Sequence, residues 1–262
     1  MVLIESVCLL TALGLYAAAF IAAAAAISFK EAWARALTPL LGLAWVLQTV
    51  ALAWRGIVQF SPPFITYFES VAFGCWLAAG GYLLFARRLP AAVGATVSLI
   101  NFLLLGSAAL APRPLTPLPP ALQSWWRLFH VLFALLTFGA LVVGAGAAAA
   151  LLLPSRVVQD RERLGRWLVP CLSFAFMSQL AMITSGAIWA HKAWGRYWGW
   201  DPIETFSLLT WLVYGVALHA HYTYGWKGPR LAWSLVTGLV LAIYGIWGVP
   251  YFSKSVHLYE VQ

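Results

Sequence analysis

Eight apolar runs follow one another along this chain, at roughly 3–27, 36–58, 67–86, 90–111, 128–153, 168–190, 204–224 and 231–252. The hydrocarbon core of a bilayer is about 30 Å thick, and one helical crossing takes about 20 largely apolar residues. Inside hydrocarbon the backbone must satisfy its own N–H and C=O groups, which confines spanning segments to helices and closed barrels, and runs of this length fit helices. The expected fold is all-α: a polytopic transmembrane bundle of about eight helices. No stretch is left for a sizeable soluble domain, so residues 1–262 are expected to form a single transmembrane domain. The composition agrees, with 63% hydrophobic and 9% charged residues against about 45–50% and 25% in soluble domains. The first run carries Glu5 and no basic residue in its short leading segment, and its apolar part is long for a signal peptide; it is expected to be a retained helix.

Basic residues orient the bundle, because short cytoplasmic loops retain Lys and Arg. With both termini extracytoplasmic, Lys30, Arg35, Arg87, Arg88, Arg156, Arg161, Arg163, Arg166, Lys227 and Arg230 fall inside, while Arg55, Arg113, Arg127, Lys192, Arg196 and Lys254 fall outside. That direction places the segment between the sixth and seventh helices on the extracytoplasmic face. The net charge of +8 is concentrated in the inner loops, where anionic lipid accounts for it, so no nucleic-acid partner is expected. Cys8, Cys75 and Cys171 all lie in apolar runs and form no CxxC pair; they read as small buried residues. Without a C-x-x-C-H attachment sequence, the chain is not itself a c-type cytochrome.

The loop at about 189–206 is the most distinctive segment, since Trp194-Gly195-Arg196-Tyr197-Trp198-Gly199-Trp200-Asp201-Pro202-Ile203-Glu204 packs aromatic rings, two acids and an arginine between two apolar runs. An interfacial aromatic belt would enrich Trp and Tyr here, and it is the plain alternative. A belt requires neither fixed tryptophan spacing nor glycines that let backbone approach a ligand. The loop reads instead as a surface for something large, flat and charged at its edge. His130 opens the fifth helix and His257 follows the eighth, so the topology brings both to the face that carries this loop. His219 lies near the opposite end of the seventh helix, where an ionisable residue is by default a functional candidate, the alternative being a side chain that snorkels to the interface. His221 points to another side of that helix and reads as interfacial, and His191 just precedes the loop.

The pattern WGxxWxWDxxE resembles the tryptophan-rich WWD signature of the heme-handling membrane proteins of cytochrome c biogenesis, and most nearly the CcsA/ResC subunit of the System II cytochrome c heme lyase. Three further segments carry the likeness. Residues 63–70 (PFITYFES) are similar to the family's PxxNxYES element, 121–131 (ALQSWWRLFHV) to ALQSxWxxxHV, and 248–259 (GVPYFSKSVHLY) to GVNxxxxGxHSY. Thr66, Phe68, Ile203 and Phe206 stand where the family usually has Asn, Tyr, Lys and Trp.

The resemblance implies a heme-binding and heme-translocating subunit in a bacterial inner membrane, holding noncovalent heme b and presenting it, reduced, for thioether attachment to the CxxCH of apocytochrome c. His130 and His257 occupy the positions of the family's two external axial ligands to heme iron, and His219 that of a transmembrane histidine at an inner heme site. Trp194, Trp198 and Trp200 would pack on the porphyrin. Lys192 and Arg196 would meet its propionates through charge-assisted hydrogen bonds, a lipid headgroup being the alternative for Lys192. Asp201 is counted with the heme-binding residues, although an acid in the first turn of a helix also serves as a cap; Glu69 reads as a cap or as lining the outer end of the third helix. The implied partner is a CcsB/ResB-type membrane subunit. The rival is a heme-delivery protein of CcmC type that passes heme to a chaperone; that class has about six helices and lacks the Pro-x-Glu-Thr seen at Pro202 to Thr205.

Overall fold

The computed structural model describes residues 2–28, 33–59, 66–113, 123–154 and 161–252. Its helices are α1 (Val2–Ser28), α2 (Ala34–Gln59), α3 (Tyr67–Phe85), α4 (Ala91–Leu110), α5 (Trp125–Leu152), α6 (Arg161–Trp194), α7 (Pro202–Tyr224) and α8 (Pro229–Ile243). From α8 the chain continues through a π turn, Tyr244–Gly248, into a short α9, Val249–Phe252. Among the described residues there is no strand, and eight helices are long and apolar enough to cross a membrane. The protein is a multi-pass helical membrane protein, as the apolar runs require. His257, Lys254 and parts of three family-like segments (63–65, 121–122 and 253–259) lie outside the described residues.

Helix α5 is the hub, packing against α3, α4, α6 and α8, while α1 packs on α2 and α4, and among the described residues α7 packs mainly on the edge formed by α6, α8 and the π turn. Close approach to α5 depends on missing side chains. A Cβ at Gly144 would lie 2.8 Å from the Cβ of Cys171 on α6, which is the small-residue packing expected where no hydrophobic force drives helices together in lipid. Buried amides then tie helices to one another. Tyr16 on α1 donates to Gln48 Oε1 at 2.6 Å, Gln48 Nε2 donates to the Ala72 carbonyl at 2.7 Å, and Asn101 Nδ2 donates to the Cys75 carbonyl at 3.0 Å.

Helix α6 starts seven residues before its apolar run does, at Arg161 rather than 168. Its first turns carry Arg161, Glu162, Arg163 and Arg166, a basic stretch suited to water rather than hydrocarbon, which a hydropathy reading excludes although its backbone is helical. These arginines serve the ends of other helices. Arg161 donates to the Leu153 and Leu151 carbonyls at the end of α5, at 2.8 and 2.5 Å, and Arg163 donates to the Arg88 and Arg87 carbonyls after α3, at 2.7 and 3.1 Å. Such carbonyls have no partner within their own helix, and a cation there also answers the helix dipole.

At the opposite end, three helices meet in an ion cluster that is out of water. Arg55 on α2, 1% exposed, holds Glu69 of α3 at 2.5 Å and Glu5 of α1 at 3.3 Å, while Gln59 donates to Glu69 at 2.8 Å. Glu69 also closes a capping box with Thr66 at the start of α3, so both roles weighed for it, cap and lining residue, converge on a fixed helix end. Next to it, Trp247 of the π turn donates to Ser70 Oγ at 3.1 Å and meets Phe138 edge-on at 4.8 Å. The start of α3, the middle of α5 and the end of α8 are thereby joined. Removing one partner of a buried ion pair costs about 3–5 kcal/mol. Arg55→Met, which strands two carboxylates, should therefore lower stability in detergent by about that amount. Glu5→Gln, which leaves the shorter pair whole, should cost less than half as much; equal losses in thermal or denaturant unfolding would mean that the three groups do not act as a cluster.

Candidate functional site

The start of α7 is set by its first residues. Asp201 Oδ1 accepts the Ile203 N–H at 2.9 Å, and Glu204 Oε2 accepts the N–H groups of Asp201 and Gly199 at 3.1 and 2.8 Å. This is a capping box extended by one bond into the preceding loop, with Pro202 at the first helical position, where proline's missing N–H costs nothing. The end of α6 is closed by Gly195, whose φ of +74° is the left-handed conformation that glycine adopts without strain. Between these stops the loop makes one further left-handed turn at Trp200, φ +56°. A bulky residue there is strained, and such strain concentrates at functional sites. The Trp200 ring is 70% exposed and meets Trp198 edge-on at 5.8 Å. Arg196 folds back over the loop, so that a Cβ at Gly199 would lie 2.7 Å from its guanidinium carbon.

Beneath this loop lies a partly open cavity of about 210 Å³, walled by α5, α6, α7 and the π turn. Most of its lining is apolar, with a few convergent polar groups, including Arg127, His130, Gln179 and Glu204, the mixture typical of a site for a small organic ligand. His130 projects from α5 toward α6, where its Nδ1 lies 2.9 Å from the Met182 carbonyl. A carbonyl only accepts, so Nδ1 carries the proton, and in the neutral form of such a ring the lone pair is on Nε2. A histidine held this way through one nitrogen has the arrangement usual for a metal-ligating imidazole, whose tautomer and orientation are fixed by the other. The ring fits there because α6 has glycine at 186: a Cβ at that position would overlap His130 Nδ1. Trp189, which also lines the cavity, lies 6.1 Å from the His130 ring and 5.0 Å from Trp194.

Among the residues singled out in the sequence, His130 and Trp198 line this cavity together. Trp194 backs onto it through Trp189. Asp201 is buried in the cap. Trp200, Lys192 and Arg196 are on the exposed side of the loop, with Lys192 Nζ 5.9 Å from the Trp126 ring. His191 stacks on Tyr197 at 4.2 Å, with 8° between the rings. His219 is exposed near the far end of α7, 3.4 Å from Thr223 Oγ1 and edge-on to Tyr224. Fifteen residues separate it from Glu204, about 22 Å along a helix. His257 lies outside the described residues.

Sequence reasoning missed Arg127, Gly186, Trp189 and Gln179 as parts of this site. Only Arg127 carried a signal that could have been read. A cation in the first turn of a helix faces the positive end of the dipole, and its placement there needs a reason. Gln179 is glue and lining at once: its Nε2 donates to the Ser207 carbonyl on α7 at 3.1 Å.

Cytochrome c biogenesis protein CcsA of Guillardia theta is 31% identical over 250 residues, covering 83% of this chain and 83% of that protein. The protein of the same name from Synechococcus sp. (strain RCC307) is 30% identical over 252 residues, covering 82% and 81%, and that of Parasynechococcus marenigrum (strain WH8102) is 31% identical over 258, covering 84% and 85%. Among solved structures, Cytochrome c Heme Lyase CcmF superimposes with a TM-score of 0.74 at 21% identity, over 97% of this chain. This chain spans 47% of that longer one, and the likeness is one of fold. Residues 64–257 match the family described as Cytochrome C assembly protein; the chain belongs to that family.

Proposed function

We propose that this protein is the heme-handling membrane subunit of a cytochrome c heme lyase, with heme as its cargo and the cavity under the tryptophan-rich loop as the place where heme is held for attachment. The observation that carries this reading is His130: a histidine oriented by a backbone carbonyl, in a mostly apolar cavity roofed by tryptophans. The fit to heme is chemical. Neutral imidazole binds the iron, apolar and aromatic walls take the porphyrin faces, and cations at the site answer the propionates. The cavity is partly open, so a cargo larger than the enclosed space is held by part of its surface and presented by the rest.

In this reading His257, from beyond the described residues, supplies the second axial imidazole, and heme b is held without covalent bonds. Trp194, Trp198, Trp200 and Asp201 form and brace the roof, and Lys192 and Arg196 meet the anionic edge where it emerges. Attachment is the addition of a cysteine thiol of apocytochrome c across each vinyl group: sulfur bonds to one vinyl carbon, hydrogen ends on the other, and nothing is oxidised overall. The protein contributes position, which converts an encounter into an effectively unimolecular step. The loop faces the extracytoplasmic side of a bacterial cytoplasmic membrane, and both termini lie on that side. His219 belongs to an inner site, completed by a CcsB/ResB-type partner, through which heme enters. The exposure of His219 on the outward side of the peripheral helix α7 supports a shared site, because a lone ionisable side chain facing lipid is costly.

Replacing His130 with glycine should abolish cytochrome c maturation, and added imidazole should restore part of it by filling the vacated axial position. Gly186→Ala, which touches no iron, should weaken the absorption of a six-coordinate low-spin heme, expected of the purified protein with two imidazoles on the iron, by displacing the His130 ring. Maturation that survives His130→Gly without imidazole would remove that residue from the ligand set. His219→Ala should reduce heme at the outer cavity, whereas His130→Ala should leave the inner site occupied. The check is heme content and ligation of both variants co-expressed with the partner, and full outer-site heme in His219→Ala would mean that heme enters by another route.

A further inference from the structure

The turn after α3 carries two consecutive arginines, Arg87 and Arg88, on a backbone held from three directions. The Arg88 N–H donates to the Phe85 carbonyl at 2.8 Å, Leu89 is buried, and the Arg87 and Arg88 carbonyls accept from Arg163 of α6 at 3.1 and 2.7 Å. Both carbonyls are occupied, while both arginine side chains are exposed. Among the described residues no carboxylate pairs with either of them; Glu162, on the facing turn of α6, is paired with Arg166 at 2.9 Å. The end of α3 answers the two cations with about half an elementary charge of opposite sign. On the hydrocarbon side of this turn the surface changes character. Leu84 is 76% exposed, and Phe85 meets Trp167 of α6 at 5.0 Å. An indole ring at the boundary between charge and hydrocarbon is the usual companion of a lipid headgroup.

We propose that Arg87 and Arg88, on the turn that Arg163 clamps, form a site for the phosphate headgroup of an acidic phospholipid, whose acyl chains run down over Leu84 and the Phe85–Trp167 pair. Guanidinium forks match phosphate oxygens through charge-assisted, bidentate hydrogen bonds. A soluble anion would use the arginines alone, whereas a phospholipid uses the charged and the apolar half of the surface together. Any basic face attracts anionic lipid in a diffuse way. This turn differs because its backbone is fixed before the lipid arrives, so less ordering entropy is lost on binding. The site lies at the end of the bundle opposite the tryptophan-rich loop, where the clamp joins α3 to α6, both of which pack on α5. It is independent of what the cavity under that loop holds.

Full-length protein in detergent is titrated with phosphatidylglycerol, with phosphatidylcholine of the same acyl chains, and with soluble glycerol 3-phosphate, bound lipid being counted by native mass spectrometry. Wild type should bind phosphatidylglycerol about tenfold or more tighter than phosphatidylcholine, the scale of two basic residues acting on an anionic headgroup. Glycerol 3-phosphate at the same concentration should not displace it. The double variant Arg87→Gln, Arg88→Gln keeps the backbone bonds of the turn and should bring the two lipids to within about twofold of each other. The double variant Lys227→Gln, Arg230→Gln removes the same charge from another turn at the same end and should leave the preference intact. Equal loss in the two double variants would mean diffuse attraction and would overturn the site, as would an unchanged preference without Arg87 and Arg88. Equal binding of both lipids by wild type, which needs no variant to fold, would overturn it as well. Displacement by glycerol 3-phosphate would show that phosphate alone is recognised, and the lipid assignment would fall.

Discussion

Hydrocarbon offers no partner to a polar group, and that constraint decides where everything else in this chain can be. Backbone N–H and C=O groups are consumed within eight helices, buried amides such as Gln48 and Asn101 must reach a neighbouring helix, and charge is driven to the two ends of the bundle. At one end Arg161 and Arg163 satisfy the last carbonyls of other segments. At the other, Arg55 holds Glu5 and Glu69, and the capping box of α7 holds the loop between α6 and α7. A bundle tied at both ends can leave part of its interior unfilled, and the cavity next to His130 is that unfilled part.

The loop over the cavity is held by its acids and shaped by its tryptophans. Asp201 and Glu204 spend their oxygens on backbone N–H groups, which fixes the turn that exposes Trp200 and points Trp198 into the cavity. The π turn shapes the facing wall. It widens α8 by one residue where Gly245 and Ile246 line the cavity, and Trp247 anchors it to Ser70 and Phe138. Interruptions of this kind recur where a helix must carry a site. The ion cluster around Arg55 acts at one remove, because Glu69 and Ser70 are neighbours on the first turn of α3.

Much of this was legible in the sequence for a simple reason: apolar length is read without knowing the fold. All eight helices follow from it, and the loop stands out because its acids, its arginine and its glycines interrupt two apolar runs. Boundaries set by water rather than lipid were not legible, as the early start of α6 at Arg161 shows. Nor was the π turn, because one extra residue per turn leaves no trace in a segment that is apolar throughout. The direction of a side chain was the other limit. Nothing local tells that Trp198 turns into a cavity while Arg196 folds over Gly199, or that position 186 must be glycine to admit the imidazole of His130. Those facts belong to pairs of helices and appear only when the helices are packed.

The central claim is that heme rests under this loop with His130 on its iron. A cryo-electron-microscopy structure of the protein purified with its membrane partner from heme-replete cells addresses it without relying on any variant. The account predicts porphyrin density between α5, α6 and α7 beneath residues 195–201, with His130 Nε2 bound to iron while Nδ1 keeps its bond to the Met182 carbonyl. Porphyrin density elsewhere in the complex, with this cavity closed by side chains or filled by lipid, would contradict it.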